Sequence, residues 1–343
     1  EPGWIGFFIP ATYSPLFRWR DCATQFLGAK GDAHKMRGFT NTVLGEPFRD
    51  EITDINDADI SSRVEIYSAQ VPHGVLAITA GIDTQDDRLE MEVVGRGVGF
   101  ESWGLEYRRL YGKPDSAELW KELTDALTRI LAHQDGFGIP IAATCIDSRG
   151  HHTQDVYDYC QGKEGQRIWA IAGVADDGKR PLVGAPKKKR TGIGERHVTL
   201  WDVCTDIAQG HIYGRMKIQK PGPGYLHFPA EGRGYDEEYF RQLCSAETRE
   251  VMYHGRRMVL WKTKAGRREE ALHCRCYALA ALLLLNPDWE PLQRRRQSQA
   301  ELAAAAAAGA AGPPASIPRA PVPPRPLPGR RPGIPRRPSN YRW

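Results

Sequence analysis

Apolar and polar positions divide this chain into a patterned body and an unpatterned end. Val75 to Asp83 is an apolar run rich in Val, Leu and Ile that stops on a carboxylate, and polar turn residues then lead into an alternating segment, Arg88 to Gly97. The two predict a hairpin. Phe100 to Leu110 reads as a third strand after the turn region of Gly95, Gly97 and Gly99. Asp115 to His133 carries Leu119, Trp120, Leu123, Leu127, Ile130 and Leu131 at the spacing of an amphipathic helix, with Ser116 placed to cap its start. Ile139 to Asp147 is another apolar strand, and it too ends on Asp. Thr153 to Cys160 predicts a short helix and Arg167 to Ala172 a buried strand.

From Gly173 to Arg196 the chain is polar and Gly-rich, a predicted loop that contains the basic run Lys187, Lys188, Lys189 and Arg190. His197 to Val203 then reads as a strand, Asp202 to Gln209 as a helical turn, Gly222 to Phe228 as loop to strand and Tyr235 to Ala246 as a helix. Glu250 to Thr263 predicts a hairpin turning at His254 and Gly255. Arg268 to Leu285 predicts a helix whose second half is apolar all round, hence deeply buried, and Asn286 with Pro287 ends it. Ahead of the first hairpin, Gly3 to Arg49 holds too many aromatics for a solvated linker, with a helix-like stretch at Trp19 to Lys30; Asp50 to Val71 reads as a connector. The aromatic segment either covers the domain that follows or closes a domain that precedes it. After Gln293 an Ala run, Ala303 to Ala308, can be helical but is stopped by Gly309, Gly312, Pro313 and Pro314, and the Pro and Arg that dominate from there are the composition of a disordered tail with extended polyproline character. The expected divisions are therefore residues 1–73, 74–290 and 291–343.

Charge sharpens the division. The chain carries a net +5, yet the ten Arg and single acid, Glu301, from Arg294 onward make the tail +9 and leave the body at −4. The 41% hydrophobic and 26% charged fractions are those of a soluble globular protein. Seven cysteines without a CxxC pair argue for a reducing compartment, and Cys274 with Cys276 has no matching second pair for a zinc site. The longest helix-like apolar run, Tyr277 to Leu285, is short against the roughly 20 residues that span a bilayer. No membrane role is expected. A start at Glu1 rather than Met suggests a fragment or a processed chain.

Three strands, helix, strand, helix, strand is the order of an RNase H-like α/β fold of the RuvC and integrase type, a mixed sheet flanked by helices. Its first strand lies beside the fourth in parallel, so Asp83 and Asp147 would face each other at neighbouring strand ends. Two carboxylates there can hold one or two Mg²⁺ or Mn²⁺ ions about 4 Å apart, for hydrolysis of a phosphodiester. Taken alone, each Asp reads first as the start of a turn.

Several separate stretches add to this. GWIGFFIPATYSPL, AGIDTQDDRLE, CIDSRGHHTQDVYDYC, PGYLHFPAEGRGYDEEYFRQL and REEALHCRCYALAAL, in this order between Gly3 and Leu285, closely resemble the large terminase subunit of tailed phages, the lambda-type family. The resemblance implies an N-terminal packaging ATPase, absent here, and a C-terminal RNase H-like nuclease that cuts concatemeric double-stranded DNA. It also implies the terminase small subunit and the portal protein as partners, assembly as an oligomer on the portal, and action in the host cell cytoplasm. The nearest thing to an ATP-binding loop, GVADDGKR at Gly173 to Arg180, has Arg180 where a hydroxyl is needed and two acids that repel phosphate, so no ATP site is expected.

The resemblance further implies a third metal-side acid on the last helix, in a pattern E-A-L-D-C. This chain reads Glu270, Ala271, Leu272, His273, Cys274. Imidazole suits Mn²⁺ better than Mg²⁺, so weaker, Mn²⁺-favouring activity is expected. Glu269 and Glu270 stand four and three residues before His273 and share roughly its helical face, where either can substitute. Glu101 on the third strand is a further candidate near the metals, or a surface acid. His151 and His152 can contact phosphate or move a proton, or are simply solvated. Lys187 to Arg190 is either a phosphate-contacting loop or a solvated one. The leading expectation is a metal-dependent DNA endonuclease; the other is a catalytically weakened module that binds DNA or portal.

Overall fold

The computed structural model describes residues 9–30, 33–46, 55–190, 197–230, 232–253 and 256–307. Trp4, Phe7, Phe8, the turn at His254 and Gly255, and the tail from residue 308 lie outside the described residues. In chain order the elements are α1 (Trp19–Ala29), α2 (Ala33–Phe39), α3 (Asp57–Ser61), β1 (Val64–Glu65), β2 (Ala77–Thr84), β3 (Arg88–Arg96), β4 (Ser102–Tyr111) and α4 (Ala117–Leu127). They continue with β5 (Ile130–Ala132), β6 (Gly138–Pro140), β7 (Ala143–Asp147), α5 (Thr153–Cys160), β8 (Ile168–Val174), β9 (Val183–Arg190) and β10 (His197–Cys204). The last are α6 (Thr205–Met216), β11 (Leu226–Pro229), α7 (Glu237–Leu243), β12 (Ala246–Tyr253), β13 (Arg256–Thr263), α8 (Glu270–Leu285) and α9 (Trp289–Ala307).

One sheet organises these elements, in the order β1-β11-β4-β3-β2-β7-β8-β10-β9. Strands β2, β3 and β4 form an antiparallel meander, β7 lies parallel to β2, and β8 and β10 extend it in parallel. This is the RNase H-like topology. Helices cover both faces, which is why β2 reads as an unbroken apolar run. Ile78, Ala80 and Ile82 join a core with Leu119 and Leu123 of α4 and Val156 of α5. Thr79, Gly81 and Asp83 alternate onto the other face, against α8.

Helix α8 comes close to β2 because Gly81 has no side chain. A Cβ there would stand 2.0 Å from the Cys274 carbonyl oxygen and 2.4 Å from the Ala278 nitrogen. Thr79 Oγ1 donates to the Ala278 carbonyl at 2.9 Å and fixes the register between helix and strand. On the neighbouring strand the fully buried Glu92 carboxylate meets Arg275 of α8 at 2.6 Å and accepts from the Tyr239 and Tyr235 hydroxyls at 2.7 and 3.1 Å. Breaking such a buried pair from one side leaves an uncompensated charge, so α8 is pinned in rotation as well as in depth.

Several predicted bounds shift. Ser116 does cap α4, accepting from the Leu119 amide, an interaction of about 1 kcal/mol. The helix stops at Leu127 rather than His133, where Arg129 Nε takes the Ala126 carbonyl and Ile130–Ala132 pairs with β6 instead. The predicted strand Ile139 to Asp147 is therefore two: Pro140, without an amide to donate, closes the small hairpin before β7 begins. Lys187 to Arg190 is not a loop but the end of β9, an edge strand paired with β10. Edge strands tolerate Lys and Pro because their outer amides face solvent.

The expected connector contributes β1, which pairs with β11 at the far edge of the sheet. The aromatic segment builds a small core of its own around Ala29, Phe39 and Val43, packed by Phe17, Cys22 and Met36. Residues 291–307, expected within a disordered tail, belong to helix α9. Arg296 ties that helix to the body through the Leu76 carbonyl at 3.0 Å.

Replacing Gly81 with Ala is expected to destabilise the chain by about 3 kcal/mol or more, since backbone rather than a flexible side chain must move. The shift of the urea unfolding midpoint measures it, and an unshifted midpoint means that α8 does not rest on β2 at this distance.

Candidate active site

The ends of β2 and β7 carry the site because the two strands run parallel and in register. Ile82 pairs with Ile146, so the next residues, Asp83 and Asp147, emerge side by side. Both are buried. Thr84 Oγ1 donates to the Asp147 carbonyl at 2.8 Å and ties the two exits together. Gln85 Nε2 donates to Asp83 Oδ2 at 2.5 Å, and the Arg149 amide donates to Asp147 Oδ1 at 3.3 Å. The Asp147 carboxyl is pushed up to about 7, first by burial and then by the neighbouring Asp83 charge.

His273 reaches the pair from the first turns of α8. Its Nδ1 lies 3.7 Å from Asp83 Oδ1, and its Nε2 lies 3.7 Å from Glu269 Oε1. Burial lowers the pKa of this imidazole, but Asp83, Glu269 and Asp147 together outweigh burial and raise it to about 9. The acids around it thus hold the His273 ring toward its protonated form. Asp83 and Asp147 fit a divalent ion, being buried, adjacent and mutually repelling. Protonated His273 does not, because both ring nitrogens then carry hydrogen and neither offers a lone pair. Among the described residues no group of three His, Cys, Asp or Glu side chains is arranged to hold a metal ion.

The acids open into a cleft of about 740 Å³. One wall is the loop after β7, the other is strand β13 with Trp261, Lys262 and Thr263. Asp206, at the start of α6, accepts from the Asp176 amide at 2.8 Å and the Trp261 amide at 2.9 Å, bracing the exit of β8 against β13. At the mouth, His151 Nδ1 lies 3.0 Å from Asp86 Oδ1, and that hydrogen bond holds the Asp86 carboxyl below its ordinary value. His152 Nε2 is 3.7 Å from the same oxygen, and its Nδ1 is 3.0 Å from Asp155 Oδ2.

The remaining predicted residues divide. Glu269 lines the cleft, held by a hydrogen bond from the Thr263 hydroxyl. Glu270 turns away to Arg268 at 2.8 Å and Arg88 at 3.2 Å, so it does not share the face of His273. Glu101 is not in the cleft. It sits at the opposite end of the sheet, since the residue of β4 level with the acids is Arg109, and it accepts from the Gly222 amide at 2.8 Å and His227 Nε2 at 2.9 Å. The loop Gly173 to Arg180 runs on toward β9 rather than into a helix. Its Gly178 and Lys179 amides are taken by Asp176 and Asp177, not left open for phosphate. Sequence reasoning does not single out Arg149 or Asp206. Arg149 stands two residues past Asp147, a position that sequence alone makes visible.

Residues 4–296 match the family of the terminase large subunit gpA, endonuclease domain. The chain belongs to that family. It is similar to the terminase large subunit of Escherichia phage lambda, 34% identical over 294 residues that cover 84% of this chain and 45% of the relative. It is likewise similar to that of Enterobacteria phage P21, 31% identical over 295 residues, with the same coverage of 84% and 45%. The chain thus spans about half the length of the curated relatives it matches. A solved mutant nuclease domain of the large terminase subunit gp2 of bacterial virus Sf6, with manganese, aligns at a TM-score of 0.37 and 11% identity. That alignment covers 66% of this chain and 98% of the other, a likeness below the level at which shared topology follows. No helix among the described residues of this terminase-family chain is long and apolar enough to cross a membrane.

The two shifted groups give this endonuclease-family domain a defined pH response. The pKa of His273 rises on folding from 6.5 to about 9, so its stabilisation is fully present below pH 6.5 and lost as pH climbs to 9. For Asp147, an acid raised on folding from 3.8 to about 7, ionisation favours the unfolded chain and stability falls between those values. Urea midpoints are expected to fall from pH 6.5 to 9 in the natural chain and to fall less over that window in His273→Asn, where only the Asp147 contribution is left. A decline of equal size in the variant assigns the effect elsewhere.

Proposed function

We propose that this chain is the nuclease portion of a DNA-packaging terminase, an endonuclease that cuts concatemeric double-stranded phage DNA into genome lengths. The observation that carries this reading is the buried Asp83 and Asp147 pair at adjoining parallel strand ends, beneath an open cleft, in a chain of the endonuclease-domain family. Residues 74–290 are the catalytic body on this reading, and residues 1–73 follow a packaging ATPase. Asp83 and Asp147 would hold one or two Mg²⁺ or Mn²⁺ ions. A divalent ion there supplies an activated water and offsets the charge that builds on the phosphodiester as it is hydrolysed.

The chain's own side chains do the rest. Gln85 and the Arg149 amide hold the carboxylates in place. His151, exposed at the mouth, can pass a proton to the leaving oxygen. With its imidazole neutral, His273 would add a nitrogen donor to the two carboxylates, a set that would suit Mn²⁺ better than Mg²⁺. The exposed Lys188, Lys189 and Arg190 on β9, with Lys187 paired to Asp202, contact phosphates of the duplex outside the cleft. The small subunit and the portal are the protein partners, and the host cytoplasm is where packaging takes place.

Plasmid nicking with Mn²⁺ or Mg²⁺ tests the site. Asp83→Asn should lose at least about 100-fold in rate, given that even residues behind a metal ligand cost 10 to 100-fold. Undiminished nicking by the variant means that the acids are not the site. His273→Asp should raise cleavage with Mg²⁺, and no gain refutes the role given to position 273.

One observation favours a second reading, a weakened module that docks on DNA or portal: the His273 ring stands 3.7 Å from Asp83 and is held toward its protonated form, which offers no lone pair. Calorimetry separates the two. A Mn²⁺ site that disappears in Asp83→Asn and Asp147→Asn supports the nuclease, and its absence in the natural chain supports the docking module.

Replacing Lys188, Lys189 and Arg190 together with Ser should flatten the salt dependence of DNA binding by about 0.9 in log–log slope for each phosphate no longer neutralised. A slope that stays put returns the strand to a purely protective edge.

A further inference from the structure

The cleft over the two aspartates continues beyond its own walls. It shares Arg149, Gly173, Val174, Ala175 and Leu260 with a second hollow of about 640 Å³, which passes Arg180 and Lys187 on the way to the basic end of β9. Acids dominate the cleft itself, through Asp83, Asp86, Asp147, Asp206 and Glu269. A polyanion can lie along such a path only where cations offset them.

The cations on the path are not equivalent. Arg180 is engaged by Asp177 at 2.9 Å, and Lys187 by Asp202. Lys262, on β13, lies opposite Glu247 in the β12–β13 register. Arg149 alone of the four lines both hollows and has an exposed side chain with no ion pair shown among the described residues.

Its position is built rather than incidental. The Ser148 amide and hydroxyl both donate to the Ile171 carbonyl, at 2.9 and 2.7 Å. Thr153 Oγ1 donates to the Ser148 carbonyl at 2.7 Å and the Gly150 carbonyl at 3.1 Å. Gly150, at φ +100, supplies a backbone conformation that side-chain-bearing residues rarely adopt. The turn therefore presents a guanidinium at the junction of the two hollows while its own amide steadies Asp147.

We propose that Arg149 is a phosphate-binding residue of this site. Its guanidinium grips a backbone phosphate flanking the one to be cut, and so sets the register of the strand between the aspartate pair and the β9 edge. The planar fork of Arg matches a phosphate with two parallel hydrogen bonds, which the ammonium of Lys cannot reproduce. The proposal rests on the endonuclease reading of the cleft.

The test is equilibrium binding of a short duplex DNA of arbitrary sequence, in EDTA, across a salt series. Arg149→Ala is expected to reduce the slope of log K against log salt by about 0.9, the share of a single neutralised phosphate. Arg149→Lys should restore the slope, yet in cleavage assays leave KM raised roughly ten-fold for want of the second hydrogen bond. Arg241→Ala, which removes an exposed arginine already paired with Glu237 and Glu238 on α7, should leave the slope unchanged. An unaltered slope in Arg149→Ala overturns the proposal, as does a Lys variant that cleaves with the natural KM. The chelator keeps this outcome separate from the cleavage assays. A natural chain that binds but does not cut removes the endonuclease reading and with it the register role of Arg149, leaving only its phosphate contact, whereas one that fails to bind duplex removes both.

Discussion

The parallel pairing of β2 with β7 is the constraint on which the rest of this molecule depends. It unites two segments about sixty residues apart in sequence. It sets two carboxylates side by side at the same edge, where burial and the neighbouring Asp83 charge make Asp147 harder to ionise. It also fixes what the surrounding elements must do. Helices α4 and α5 close one face of these strands, α8 closes the other, and the cleft is the space left where the strands run out.

The same face of the sheet handles buried charge in two ways. Glu90 lies directly opposite Asp83 in the β2–β3 register and is fully buried, yet it is consumed by Arg88 at 2.7 Å, Arg268 at 2.9 Å and the Tyr107 hydroxyl. Glu92, two residues on, is consumed by Arg275. These carboxylates are closed by protein cations and hold helix and sheet together. Among the described residues Asp83 and Asp147 meet neutral donors, Gln85 and the Arg149 amide, and no cation closer than the His273 ring, 3.7 Å from Asp83. The difference between scaffold and site is thus a difference in what neutralises each acid.

Much of the central fold was legible because its strands are covered on both sides and so read as apolar runs with clear turns between them. Both aspartates, the hairpins and α5 follow from that pattern. Less legible were elements whose stability is tertiary: β5 and β6, three residues each, and β9, whose Lys-rich sequence suits solvent and strand edge alike. Glu101 misled because strand membership does not say which end of the sheet a residue occupies; antiparallel reversals put it far from the acids. Glu270 misled because helical spacing gives a face but not the partners, and two arginines drew it away. The pairing of Arg180 with Asp177 and Lys187 with Asp202 is invisible without coordinates, and that is what sets Arg149 apart.

The close fit of α8 over Gly81 has a consequence for how this site can change. Since the helix can neither slide nor rotate without displacing backbone or exposing Arg275, the position of residue 273 is held fixed whatever side chain stands there. Its chemistry can then vary while its geometry does not. The codons for His and Asp differ by a single nucleotide, so whether a cation or a carboxylate stands beside the two aspartates is a trait that one base substitution can rewrite.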